Sequence, residues 1–100
     1  MSEDRSVRLH PEATAEARVA FRWYQTRSQK TAGDFMSELD RTMGRLQAGP
    51  GQGPPHLFDT RRLLFRRFPY ALIYREGGES IEVLAVTHVR RAPGYWKERG

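Results

Sequence analysis

The chain has no cysteine, so neither a disulfide frame nor a thiolate metal site can hold it together. Lysine is almost missing too: Lys30 and Lys97 are the only two, and the rest of the seventeen basic residues are arginine. Arginine offers planar, forked donors suited to phosphate and carboxylate. No apolar run approaches the roughly 20 residues of a membrane span. The opening MSEDRSVRL lacks the apolar centre of a signal peptide. A soluble cytoplasmic protein with no membrane partner is the expectation. His10, His56 and His88 are far apart and have no cysteine companions, which leaves a metal site without support. There is no GxxxxGK[ST] phosphate loop, no nucleophile elbow, and no helix with paired carboxylates at ligand spacing. No cofactor is expected; metal-independent chemistry or pure binding is left.

What is present is a short, basic chain. One hundred residues suit a single domain over 1–100 with one modest core. The formal net charge of +5 points to an anionic partner, nucleic acid or an acidic protein. Its distribution says more. Between Pro11 and Ala48 the acids Glu12, Glu16, Asp34, Glu38 and Asp40 nearly cancel the basic residues, whereas from His56 to Arg75 only Asp59 opposes Arg61, Arg62, Arg66, Arg67 and Arg75.

Val7 to His10 reads as a short opening strand, ended by Pro11, which also suits the first position of a helix. Ala13, Ala17, Ala20, Phe21 and Tyr24 then follow helical spacing, with Val19 and Trp23 off the stripe. After a polar turn, with Ser28 or Thr31 as a cap, a second stripe runs through Ala32, Phe35, Met36, Leu39, Met43 and Leu46. Gly49 should end this helix and Pro50 bar its continuation. The segment GPGQGPP is a loop by composition. Leu57 to Phe68 is strand-like but carries arginine on both faces, and Pro69 is expected to hold Phe68 extended. Tyr70 to Tyr74 and Ile81 to Val89 follow as strands around a Gly77-Gly78 hairpin turn suited to positive φ. Alternation puts Ile81, Val83 and Ala85 on one row and Leu84, Val86, His88 and Arg90 on the other. Pro93 and Gly94 turn the chain into a basic, aromatic tail. The fold class is α+β: an N-terminal strand and an antiparallel helical hairpin packed on a small, mainly antiparallel sheet.

His88, with Arg90 near it and Arg66, Arg67, Arg91 and Tyr95 converging, could form an acid–base site flanked by cations that stabilise a phosphoryl transition state. RNA cleavage needs little more, since the 2′-hydroxyl is an internal nucleophile. His88 could equally hydrogen-bond a neighbouring segment while the arginines are solvated strand ends. Tyr95 and Trp96 could stack on bases, or Trp96 could pack the tail against the sheet.

The stretches HPEATAEA with FRWY, FRRFPYALIYR, and VLAVTHVRRAPGYWKER resemble the RelE/ParE superfamily of toxins from bacterial type II toxin-antitoxin modules. The resemblance covers nearly the whole chain and is strongest from Phe65 onward. It implies a growth-inhibiting toxin, of the kind linked to plasmid stabilisation, held in a hetero-oligomer with a cognate antitoxin whose C-terminal segment wraps it as helix and strand. RelE-like members cleave messenger RNA on the ribosome; ParE-like members inhibit DNA gyrase. Under the nuclease reading His88, Tyr95, Arg67 and Arg90 are the candidate catalytic residues. Arg61, Arg62, Arg66, Arg91, Trp96 and Lys97 are then the nucleic-acid or partner contacts. Under the gyrase reading the same surface serves protein contact.

Overall fold

A computed structural model describes residues 6–49, 51 and 53–99; the expectation for Pro50 lies outside them, as does Gln52 of the glycine-proline loop. Strand β1 (Ser6–Leu9) leads into α1 (Pro11–Gln25) and α2 (Gln29–Ala48). Four strands follow: β2 (Pro55–His56), β3 (Thr60–Leu64), β4 (Tyr70–Glu76) and β5 (Ser80–His88). The sheet order is β1-β5-β4-β3-β2, with β1 parallel to β5 and the other pairings antiparallel. This is the expected α+β layout.

Local chemistry sets the helix ends. His10 is not a strand residue but the N-cap of α1, its Nδ1 accepting the Glu12 N–H at 3.1 Å, with Pro11 at the first helical position. Ser28 caps α2 by accepting the Thr31 N–H at 3.2 Å, and Gly49 closes it through its own N–H to the Arg45 carbonyl. Ala13, Ala17 and Ala20 let α1 lie close on the sheet, and Phe35, Leu39 and Leu46 of α2 complete the core beneath. Tyr24, Phe35, Phe65, Phe68 and Tyr70 pack edge to face or tilted at one end, with centroids 5.1 to 6.1 Å apart in successive pairs. A second, smaller core of Ile73, Leu84, Ala85 and Trp96 lies on the other face of the sheet, under the C-terminal tail.

Four sequence expectations give way to geometry. Strand β5 does not alternate throughout: Tyr74 pairs with Val83 and Ile73 with Ala85, so Leu84 is an extra, bulged residue. Ala85 therefore joins Leu84 in the tail-side core, while Val86 returns to the helix side with Ile81 and Val83, followed by His88 against the Tyr70 ring at 5.3 Å. Strand β5 stops at His88, leaving Arg90 in a turn. The Leu57–Phe68 stretch is not one strand. It begins with a tight β2–β3 hairpin whose Phe58 and Asp59 both have φ of 60°, and it ends in a loop where Phe68 has φ of 76° in place of the extended form. That loop is bent because the Glu38 carboxylate gathers two successive N–H groups just before Phe68, those of Arg66 at 2.6 Å and Arg67 at 3.0 Å. Finally, the β4–β5 connection spreads the reversal over three residues, Gly77 donating to the Ser80 carbonyl, and neither glycine takes a positive φ.

Gly53 holds the start of β2 against β3. Its N–H donates to the buried Tyr74 hydroxyl at 3.1 Å, and an added Cβ would lie 2.6 Å from the Arg62 carbonyl oxygen and 2.8 Å from the Tyr74 hydroxyl. Backbone on one side and a buried ring on the other cannot move aside cheaply. Gly53→Ala should therefore lower stability by about 1 to 3 kcal/mol, read as an earlier urea midpoint with unchanged slope. Tyr74→Phe, which leaves the buried Gly53 N–H without this acceptor, should cost about 1 to 3 kcal/mol.

Candidate functional site

Glu16 faces the sheet from the third turn-position after Ala13, beside Ala17 and Ala20, and its side chain is only 14% exposed. Its Oε1 accepts the Val86 N–H at 3.0 Å and the Arg99 Nη1 at 3.1 Å; its Oε2 accepts Arg99 Nη2 at 3.2 Å and Arg91 Nη1 at 3.3 Å. Arg99 also donates to the Leu84 carbonyl at 2.9 Å. One carboxylate thus ties α1, β5 and the C-terminal tail together. A paired, multiply hydrogen-bonded charge of this kind is secure only while every partner is present.

Tyr95 belongs to the same assembly. The Arg91 guanidinium lies over its ring at 3.5 Å and that of Arg99 at 5.0 Å. Its hydroxyl is buried without a hydrogen bond of good geometry. Burial pushes the phenol above its usual pKa, with Thr87 and Glu16 as its polar neighbours. Trp96 is fully buried, its indole stacked on the His56 ring at 5.4 Å, and Lys97 is exposed above the Phe58 ring at 5.5 Å. His88 accepts the Arg90 N–H on Nδ1 at 3.1 Å, which shapes the turn leaving β5.

The basic residues separate into groups. Arg61 is turned back on its own fold, with Nη1 on the Gly53 carbonyl at 2.7 Å and Nε 3.2 Å from Glu76. Arg66 and Arg67 are held by their backbones while their side chains are exposed; Arg67 comes no nearer than 3.9 Å to Asp34. Arg62 lies on the sheet face opposite the helices and shares a small cavity with His88 and Arg91. The structure therefore gathers Arg62, Arg91 and Trp96 at one end of that face, with His88, packed on Tyr70 on the helix side, also bordering the cavity, and sets Arg66 and Arg67 in the Glu38-held loop.

A groove of about 380 Å³ runs between α1 and the end of β5, floored by Ala20, Tyr70 and Val86 and rimmed by Val19, His88, Arg91 and Arg99. Beside it Val19 and Trp23 are 64% and 50% exposed, the off-stripe residues that the helix pattern had marked for a second surface. Glu16 and Glu38 were not anticipated as site-forming residues. The signal was present: Glu16 falls on the Ala13, Ala17, Ala20 spacing, and Glu38 and Thr42 on the Phe35, Leu39, Leu46 spacing. An acid on an apolar stripe marks a buried acceptor.

Comparison with known proteins adds to this geometry. Residues 7–93 match the family described as ParE toxin of type II toxin-antitoxin system, parDE. No curated protein matches the sequence. Among solved structures, a chain from the chromosomal ParDE toxin-antitoxin system of P. aeruginosa superposes with a TM-score of 0.76 at 20% identity, over 87% of this chain and 98% of that one. At that identity the likeness is one of fold.

Two outcomes follow from the buried acids. Glu16→Ala should cost about 2 to 3 kcal/mol, less than a fully buried pair because the guanidiniums keep some access to water. It should also open the tail to trypsin at Arg90 and Arg91 before the rest of the chain is cut, which limited proteolysis will show. For Glu38, desolvation raises the carboxyl pKa, but the N–H groups of Arg67 and Arg66, with Arg41, outweigh it and hold it below the usual value. A depressed carboxyl stabilises the fold fully above its unfolded pKa of about 4.3, and that contribution fades as pH falls through the lower folded value. Glu38→Ala should lose about 2 to 3 kcal/mol at neutral pH, with the gap from the parent narrowing in urea titrations as the pH is lowered into that range.

Proposed function

The chain belongs to the ParE toxin family of type II toxin-antitoxin systems, and from that membership we propose that it arrests growth by binding DNA gyrase, not by cutting messenger RNA, and is silenced by its antitoxin. The observation that carries the reading is the state of Tyr95. A phenol used for proton transfer needs a reachable hydroxyl, and this one is buried, raised in pKa and covered by Arg91 and Arg99. Arg91, the nearest cation in the nuclease reading, is committed to Glu16. His88 has one ring nitrogen occupied by the Arg90 N–H. What remains outward is a set of arginines on a rigid loop, Arg66 and Arg67, and the exposed Val19 and Trp23 of α1. Such a surface suits protein contact, with no group required to shift its pKa.

The antitoxin reading rests on the groove along α1. An amphipathic segment could place its apolar face over Val19 and the alanines while acids meet Arg91 and Arg99 at the rim. Acidic segments that fold on binding suit a basic toxin. The toxin and antitoxin would then form the hetero-oligomer in the cytoplasm, and the exposed Trp23 ring, now under the Arg27 guanidinium at 3.9 Å, would become covered.

The experiment is a brief induction without antitoxin, with mapping of new RNA 5′ ends and a supercoiling assay of gyrase with the purified chain. Growth arrest, inhibited supercoiling and no new ends within translated frames are expected. His88→Ala and Tyr95→Phe should remain toxic, while the paired change Arg66→Ala with Arg67→Ala weakens inhibition. New ends at a fixed codon phase, abolished by Tyr95→Phe, would overturn the reading in favour of ribosome-dependent cleavage.

A further inference from the structure

On the face of the sheet away from the helices lies a cavity of about 100 Å³, which shares His88 and Arg91 with the α1 groove. Its polar lining is His56, Arg62, Thr87, His88, Arg91 and Trp96, brought from β2, β3, β5 and the tail. No carboxylate lines it. Guanidiniums, a hydroxyl, imidazoles and an indole are all able to donate, so the cavity presents donors with little to accept from them.

Arg62 stands out among these donors as a cation without a counter-charge. Arg62 has no acidic partner among the described residues, in contrast to Arg61 beside it, which meets Glu76. The Trp96 side chain is 1% exposed, and its Nε1–H is buried without an acceptor. The indole is fixed by stacking on His56 at an interplanar angle of 26°. Burial, and then the charge of Arg62, hold the His56 imidazole below its usual pKa, as expected where positive charge lacks a counterion. Arg91 has one nitrogen on Glu16 and is oriented by Tyr95, which leaves further N–H groups of its fork free to donate.

Size narrows the ligand. The space holds roughly three waters at liquid density, enough for one tetrahedral oxyanion and too little to enclose a nucleobase. We propose that this cavity binds a single oxyanion of the phosphate class through Arg62 and Arg91, with the Trp96 indole packed in its wall. The group could arrive as free phosphate or as the terminal phosphate of a nucleotide, since the mouth rather than the cavity decides what is attached. This assignment stands independently of the gyrase target; Arg91 and His88 also border the α1 groove, so the test uses the chain without antitoxin.

The two tryptophans provide the test within one molecule. In 1H–15N spectra of the whole chain, the Trp96 indole reports the cavity and the Trp23 indole, exposed on α1, serves as the reference. Titration with inorganic phosphate, against sodium chloride at matched ionic strength, should shift the Trp96 indole saturably and leave Trp23 in place. Arg62→Gln should weaken this roughly tenfold or more, the loss expected of one charge-assisted hydrogen bond. Adenosine 5′-monophosphate as a second probe distinguishes the sources: saturation by both admits a nucleotide phosphate, and saturation by inorganic phosphate alone confines the site to the free ion. If Trp96 moves no more than Trp23 with either probe, or if Arg62→Gln binds unchanged, the cavity holds only water and the proposal is overturned. Should that variant fail to fold, the contrast between the two indoles in the parent chain still decides.

Discussion

The edge of β5 is the weak point that the rest of the structure answers. Strand β1 pairs with it only as far as Val83, whose carbonyl takes the N–H of His10, because the chain must then turn into α1 at Pro11. Beyond that point the Leu84 carbonyl and the Val86 N–H would lie bare on an open sheet edge. Arg99 covers the first and Glu16 the second, and the two side chains bind each other. An ion pair thus continues the ladder where no strand remains. Because Arg99 comes from the end of the tail, the closure also draws residues 93–98 across the far face of the sheet, and Trp96 is buried there as a consequence.

The same device recurs at the opposite end. Past β2, the outer edge of β3 and the loop after it meet no further strand among the described residues, and α2 supplies side chains in its place. Arg45 donates to the Leu64 carbonyl at 2.8 Å, and Glu38 accepts the N–H groups of Arg66 and Arg67. Each helix therefore carries one inward acid whose task is to satisfy sheet backbone. A carboxylate that accepts a backbone N–H is partly removed from the surface charge balance. The face shown to a partner is accordingly more basic than the formal count suggests, and Arg66 and Arg67 stand outward because their backbones are fixed inward.

Much of this layout was legible in the sequence. The two helical stripes, the cap at Ser28, the stop at Gly49 and the strands around Leu72 and Val83 follow from spacing and turn chemistry. What escaped was of two kinds. The bulge at Leu84 shifts the faces of Ala85 and Val86, and strict alternation has no means of announcing one extra residue. The positive φ of Phe58, Asp59 and Phe68 was hidden for a different reason: bulky or unremarkable residues occupy positions that local preference would give to glycine or asparagine. Tertiary bonds hold them there, Arg75 on the Phe58 carbonyl at 2.9 Å and Glu38 ahead of Phe68. The site was readable as a list of residues and not as an arrangement. Tyr95, Arg91 and His88 are near one another, yet their bonds could be known only once Glu16 was seen to face them.

Arginine is ambiguous in a way that composition cannot resolve, and this chain contains both meanings side by side. Arg61 and Arg62 are neighbours on β3, and alternation sends their side chains to opposite faces. Arg61 meets Glu76 and the Gly53 carbonyl, so its charge is absorbed by the fold. Arg62 points to the face where Trp96 and His56 stack and where no acid lines the space. The difference between a structural and a ligand-seeking guanidinium is thus set by the pleat and by where the acids fall. Around Arg62 none of the strand acids reaches this end of the sheet's open face, and the helices cover only the other face. The tail that closes the open face brings Arg91, Arg99 and Lys97 but, apart from Glu98, no counter-charge of its own. A positive, acid-poor pocket on that face is therefore a consequence of closing the sheet edge with an arginine-rich tail.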